Sequence, residues 1–100
     1  MSPRYAAKVD KNQAELVRVL RRFMKVALTH RLGGGFPDLL CCGIKRYTDQ
    51  WTLLLVEVKD VGKEDDLTDD EREFFKEWAG TPLIIASKPE DVLRWYGWIE

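Results

Sequence analysis

Apolar residues recur at spacings of three and four early in the chain: Leu16, Val17, Leu20 and Phe23. This spacing predicts a helix running to about Arg22. Asp10 is its candidate N-cap, Gln13 completes a capping box, and Val9 and Ala14 suit the accompanying hydrophobic staple. Glu15, Val19 and Arg22 form a neighbouring stripe at the edge of that face. The residues before this helix, with Arg4 and Lys8, read as a loose tail. The period then shortens. Residues 26–29, 36–44 and 51–59 read as three strands, with a turn over 45–50. A tight turn centred between Tyr47 and Thr48 would set Asp38 opposite Glu57. The second and third strands are apolar on both faces, so each side of the sheet should be covered. A polar loop over 61–66 leads to Thr68 and Glu71, a second capping box opening a helix to about Ala79, which Gly80 stops. Residues 82–86 read as a fourth strand. Ser87 and Glu90 form a third box before a last helix striped by Val92, Trp95, Tyr96 and Ile99. The expected fold class is α/β, a small sandwich with a mixed central sheet of about four strands flanked by helices.

One hundred residues make one domain, 1–100, able to bury roughly two-thirds of its unfolded surface. With 45% hydrophobic and 33% charged residues, disorder is not the default. No apolar run reaches membrane-spanning length and no signal-peptide pattern opens the chain, so a soluble intracellular protein is expected. Cys41 and Cys42 lack the spacing of a metal or redox pair; on a strand they point to opposite faces and read as buried free thiols. The net charge of −1 is unevenly spread. Residues 1–50 hold ten Lys/Arg and four Asp/Glu, a balance of +6; residues 51–100 hold six and thirteen, a balance of −7. A uniformly basic nucleic-acid binder is excluded, but phosphate contacts can come from the first half.

Asp38 opens one apolar run and Glu57 closes another. Charges at the ends of buried strands are costly unless paired or bound to a metal. Glu57 and Lys59 share a strand face, while Val58 points away but leaves its backbone carbonyl beside them. Oxygen-only ligation by Asp38, Glu57 and the Val58 carbonyl suits Mg²⁺ or Mn²⁺. Such a cation polarises a phosphoryl oxygen and activates a water, and Lys59 can hold that water and stabilise developing charge. The chemistry these residues support is phosphodiester hydrolysis. The bland alternative is a surface salt bridge on a hairpin, which the apolar flanks of both strands disfavour.

The chain resembles the VRR-NUC (virus-type replication-repair nuclease) family of the PD-(D/E)xK nuclease superfamily, in particular small stand-alone members from phages and bacteria. The resemblance rests on Asn12-Gln13-Ala14-Glu15-Leu16, Gly34-Gly35-Phe36-Pro37-Asp38-Leu39-Leu40, Leu54-Leu55-Val56-Glu57-Val58-Lys59, Leu67-Thr68 leading into a helix, and Lys88-Pro89-Glu90-Asp91-Val92-Leu93. It implies a restriction-endonuclease-like fold. It implies a helical acid at Glu15, metal ligands at Asp38 and Glu57 with the Val58 carbonyl, and a catalytic Lys59, with Glu15 as a further candidate ligand. The family's usual glutamine after the Leu-Thr step is Glu71 here; a carboxylate there would add a ligand or repel the phosphate. By resemblance the protein is a metal-dependent endonuclease acting as a homodimer on branched DNA such as four-way junctions, in the cytoplasm of a bacterial or phage-infected cell. The rival readings are a non-catalytic DNA-binding or assembly module on the same fold, and another superfamily nuclease of the Holliday-junction resolvase or restriction type.

Several residues have competing roles. On the residues alone, Glu15 is a solvent-facing helix position paired with Arg18; the resemblance reverses that. Glu71 fits the capping box, yet Glu71, Phe74, Phe75 and Trp78 also fall on one helical stripe, so both roles stay open. The triple glycine precedes a strand rather than a helix, so it is not a phosphate loop; it lets a backbone, of protein or DNA, come close. His30 is structural or a minor DNA contact. Arg18, Arg21, Arg22, Lys25 and Arg31 are candidate phosphate contacts. Trp95 and Tyr96 read as core. Trp98 lies off the stripe near the end of the sequence, and an exposed tryptophan there would suggest a twofold homodimer.

Overall fold

A computed structural model describes residues 11–100, so Asp10 and the staple residue Val9 lie outside the described residues; the expected box is nonetheless corrected, because α1 has Asn12 at its N-cap and Gln13 as its first residue, not its third. The elements run α1 (Gln13–Leu20), β1 (Lys25–Leu28), β2 (Leu39–Lys45), β3 (Gln50–Val58), α2 (Asp69–Glu77), β4 (Leu83–Ala86) and α3 (Pro89–Tyr96), with one 3₁₀ turn at His30–Leu32. They form an α/β fold around a mixed four-stranded sheet in the order β1-β2-β3-β4. The first three strands are antiparallel and β4 runs parallel to β3. A parallel neighbour needs a crossover, which α2 supplies. That crossover returns the chain over the end of β3, where Glu57 and Lys59 sit.

The β2–β3 register is the one the turn predicts: Leu39 pairs with Val56, Cys41 with Leu54 and Lys45 with Gln50. Asp38 and Glu57 stand one step beyond the last pair. Tyr47 and Asp49 adopt positive φ (75° and 55°) to close the turn. β2 starts at Leu39 rather than at Phe36, because Pro37 has no N–H to give a ladder.

One sheet face carries the core. Leu39, Cys41, Leu54, Val56 and Val58 pack against Leu16, Val17 and Leu20 of α1 and Val92 and Tyr96 of α3. Each such residue stabilises the fold by about 1.5–3 kcal/mol. Cys41 is a free, buried thiol pushed up to about 12 by burial and then by Cys42; Cys42 is half-buried. The opposite face is covered at one end only. There Phe74 of α2 meets Phe36 edge-on at 5.2 Å and stacks on Trp78 at 5.0 Å. Beyond α2, Trp51 and Leu53 are 61% and 57% exposed. The expectation of cover on both faces therefore fails at this end: nine residues of α2 are too short to span the sheet.

Four further expectations are corrected. Phe23 is half exposed, because α1 ends at Leu20 and the chain turns at Arg21 before Phe23 can join the stripe. Ile99 is exposed, because α3 stops at Gly97, whose left-handed φ of 86° turns the chain back. The same reversal packs Trp98 onto Tyr96 at 5.7 Å, where its indole N–H donates to the Ile44 carbonyl at 2.7 Å; it is not an exposed partner surface. The box opening α3 uses Asp91 instead of Glu90, its carboxylate accepting from the Ser87 and Lys88 N–H groups at 2.9 and 3.1 Å. Among the described residues no helix is long and apolar enough to cross a membrane.

Candidate active site

Strand register, the crossover and a cap bring four ionisable side chains together at one end of the sheet. Asp38 and Glu57 are buried, 8% and 2% exposed. Asp38 Oδ2 accepts the Val58 N–H at 2.8 Å, while its backbone carbonyl accepts from Thr29 N–H at 2.8 Å. Lys59, two residues beyond Glu57, lies on the same face. Its Nζ donates to Glu71 Oε1 at 2.9 Å and stands 3.8 Å from Glu57 Oε2.

Glu71 is delivered by its capping box. Its Oε1 accepts the Thr68 N–H at 2.9 Å, and its own N–H donates to Thr68 Oγ1 at 3.2 Å. The box and the cluster are one arrangement: the rotamer that caps α2 also meets Lys59, while of the stripe expected with Phe74, Phe75 and Trp78 only Phe74 is buried. Gly35 (φ +80°) lets α2 come this close: a Cβ there would fall 2.3 Å from the Asp70 carbonyl oxygen. The close backbone approach expected of the triple glycine is therefore to α2.

The electrostatics follow from burial. Burial, then the carboxylates of Asp38 and Glu71, push Glu57 up to about 10, so it holds a proton at neutral pH in the metal-free protein. Burial opposes the ionisation of Glu71, but hydrogen bonds from Lys59 and the Thr68 N–H outweigh it and leave that carboxyl lowered. The cluster is two buried acids at a strand fork, with a lysine held between Glu57 and Glu71.

Glu15 is not brought here. Its side chain is 62% exposed and paired with Arg18 on the solvent side of α1. Arg18, Arg21, Arg22, Lys25 and Arg31 are all exposed. Arg21 donates to the Val26 carbonyl at 3.1 Å, and Lys25 lies over the Trp51 ring at 5.3 Å. The half-buried His30 faces α1, its Nδ1 3.4 Å from Gln13 Nε2.

Two residues at this end were not read as part of the site from the sequence, where Gln13 served as a capping residue and Asn12 only as part of a motif. Asn12 Nδ2 donates to the carbonyls of Lys59 and Ser87 at 3.1 and 2.6 Å, fixing the start of α1 to the ends of β3 and β4. Gln13 is 4% exposed. Their signal is legible afterwards: Gln13, Leu16, Val17 and Leu20 form one buried stripe, and a polar residue on such a stripe is informative.

Among the described residues no group of three or more His, Cys, Asp or Glu side chains is disposed to hold a metal ion. The donor set still fits a hard cation with few protein ligands. It is all oxygen, it holds two adjoining buried acids whose repulsion a divalent cation would relieve, and Glu57 Oε1 is buried with no hydrogen-bond partner. A groove of about 630 Å³ adjoins the cluster on the open sheet face, lined by Phe36, Leu40, Trp51, Leu53, Leu55 and Trp78. It is apolar and does not contain the acids. No protein-family model, no curated protein and no solved structure matches the chain.

Proposed function

We propose that this chain is a Mg²⁺- or Mn²⁺-dependent DNA endonuclease of the VRR-NUC type, hydrolysing phosphodiester bonds in branched DNA such as four-way junctions. The observation that carries the reading is the buried Asp38–Glu57 pair with Lys59 on the same face. Buried acids in contact oppose each other's ionisation, so a fold keeps them together at a cost that a bound cation would remove. Asp38, Glu57 and the Val58 carbonyl would hold the cation, which supplies a Lewis acid for the phosphoryl oxygen and an activated water. The chain's own residues do the rest. Asp38 is oriented by the Val58 N–H. Lys59 would leave Glu71 to hold the attacking water and to meet negative charge as it develops on the phosphoryl oxygens. Arg18, Arg21, Arg22, Lys25 and Arg31 contact phosphates, which favours reading structure over sequence.

The proposed assembly is a homodimer, and the open face of the sheet supports it better than Trp98. Trp51, Leu53 and Trp78 (61%, 57% and 40% exposed) form an apolar surface that a second copy would bury. A dimer carries two sites, as paired cuts across a junction require.

A second reading has its own observation. Lys59 is neutralised by Glu71 at 2.9 Å, which suits a DNA-binding or assembly module without catalysis. Incubation of a four-way junction with Mg²⁺, Mn²⁺ or EDTA separates the two: metal-dependent cutting supports the nuclease, and binding without cutting supports the module.

A further inference from the structure

Three buried side-chain oxygens have no hydrogen-bond partner among the described residues: Asn12 Oδ1, Gln13 Oε1 and Glu57 Oε1. A buried acceptor left unpaired costs about 1–3 kcal/mol, so three on residues tied to one end of the sheet call for a cause. All three belong to the same end of the sheet. Asn12 is tied to the Lys59 carbonyl. Gln13 is tied through Nε2 to His30, the residue after Thr29, and Thr29 holds Asp38 by its backbone N–H and Pro37 by its hydroxyl. Glu57 is the acid itself. Gln13 is thus bracketed, with Lys59 bonded to its predecessor on one side and the Asp38 segment bonded through His30 on the other.

The chemistry of the amide is selective. With Nε2 engaged by His30, the group presents only its carbonyl oxygen as an unsatisfied atom. An uncharged oxygen at the same end of the sheet as two acids suits a hard cation, and it adds no further like charge to the pair. Glu15, exposed and paired with Arg18, offers none of this.

We propose that Gln13, through its amide oxygen, is the α1 residue that binds the divalent cation alongside Asp38 and Glu57, and that Glu15 takes no part. The inference rests on the cation-binding reading above. His30 is then a positioning residue, holding the amide so that oxygen and not nitrogen is offered.

The test is Mn²⁺ binding to the metal-free chain, without DNA, followed by calorimetry and by the spin-resonance signal of free Mn²⁺. Gln13→Ala is expected to weaken binding roughly tenfold, and Gln13→Glu to tighten it at least about tenfold by adding a charged ligand. Glu15→Ala should bind as the parent does. Melting curves without metal report whether each variant folds; if Gln13→Ala does not, Gln13→Glu alone decides. Parent-like affinity in Gln13→Glu, or loss of binding in Glu15→Ala, overturns the assignment. A parent protein that binds no Mn²⁺, with Asp38→Asn indistinguishable from it, overturns the cation reading itself, a different failure from that of Gln13.

Discussion

Raising the pH should destabilise this protein when divalent cations are stripped away, and the cause is one carboxyl. Glu57 is held up to about 10 by burial and by the carboxylates of Asp38 and Glu71, whereas the unfolded chain titrates it near 4.5. Between those values the native state keeps a proton that the unfolded state has lost. Stability from that proton is complete below about 4.5 and is lost as pH climbs toward 10. Glu71 has the opposite sign, but its lowered carboxyl acts only below its ordinary range, so the window above pH 5 belongs to Glu57. One proton gives a limiting slope of about 1.4 kcal/mol per pH unit. From pH 5.5 to 7.5 the loss is then up to about 3 kcal/mol, a fall in Tm of roughly 10–20 °C for a domain of this size. The titration is shared with neighbouring Asp38, which makes this an upper bound. Thermal melts in EDTA at three pH values measure it. Glu57→Gln should flatten the slope and be the more stable protein at pH 7.5. Mn²⁺ should reverse the trend, because it displaces the proton and binds better as pH rises. A flat or rising Tm, with Glu57→Gln superimposed on the parent, would refute the account of a strained acid pair.

Other parts of the site make their own predictions. Gly35→Ala places a methyl against the Asp70 carbonyl at a positive φ; it should cost about 1–3 kcal/mol in melting experiments, because α2 must shift to make room. Glu71→Gln keeps an oxygen for Lys59 and Thr68 while removing the charge; relieving Lys59 by on the order of 1 kcal/mol should raise cleavage about fivefold, and an unchanged rate would show that Glu71 does not mask the lysine. Trp51→Ser combined with Leu53→Ser should convert a dimer to a monomer by light scattering without loss of Tm, since both side chains are largely exposed; a parent that is already monomeric at high concentration removes the dimer from the account.

The acid pair was legible because two local facts suffice for it. The turn at Tyr47–Asp49 sets the register, and alternation sets the face, so Asp38 had to meet Glu57. Glu71 was legible as a cap because Thr68 and Glu71 lie three apart. What periodicity could not carry was anything beyond a chain reversal. Phe23 and Ile99 keep the helical spacing on paper but follow the ends of α1 and α3. Trp98 finds Ile44 and Tyr96 only because Gly97 turns back. Alternation shows that β3 is apolar on both faces but not that α2 covers only one end of the second. Gln13 was hidden by its own plausibility as a capping residue: the stripe it shares with Leu16, Val17 and Leu20 was present, but a glutamine on a buried stripe acquires meaning only once its partners are known.

The most direct test of the central claim is cleavage of a four-way junction beside a matched linear duplex, each with Mg²⁺, Mn²⁺ or EDTA, by the parent, Asp38→Asn and Lys59→Ala. Metal-dependent cutting of the junction over the duplex is expected, abolished in both variants while their Tm shows them folded. Tight junction binding with no cutting under any metal, unchanged in the variants, would contradict it and leave Asp38, Glu57 and Lys59 as the scaffold of a binding module.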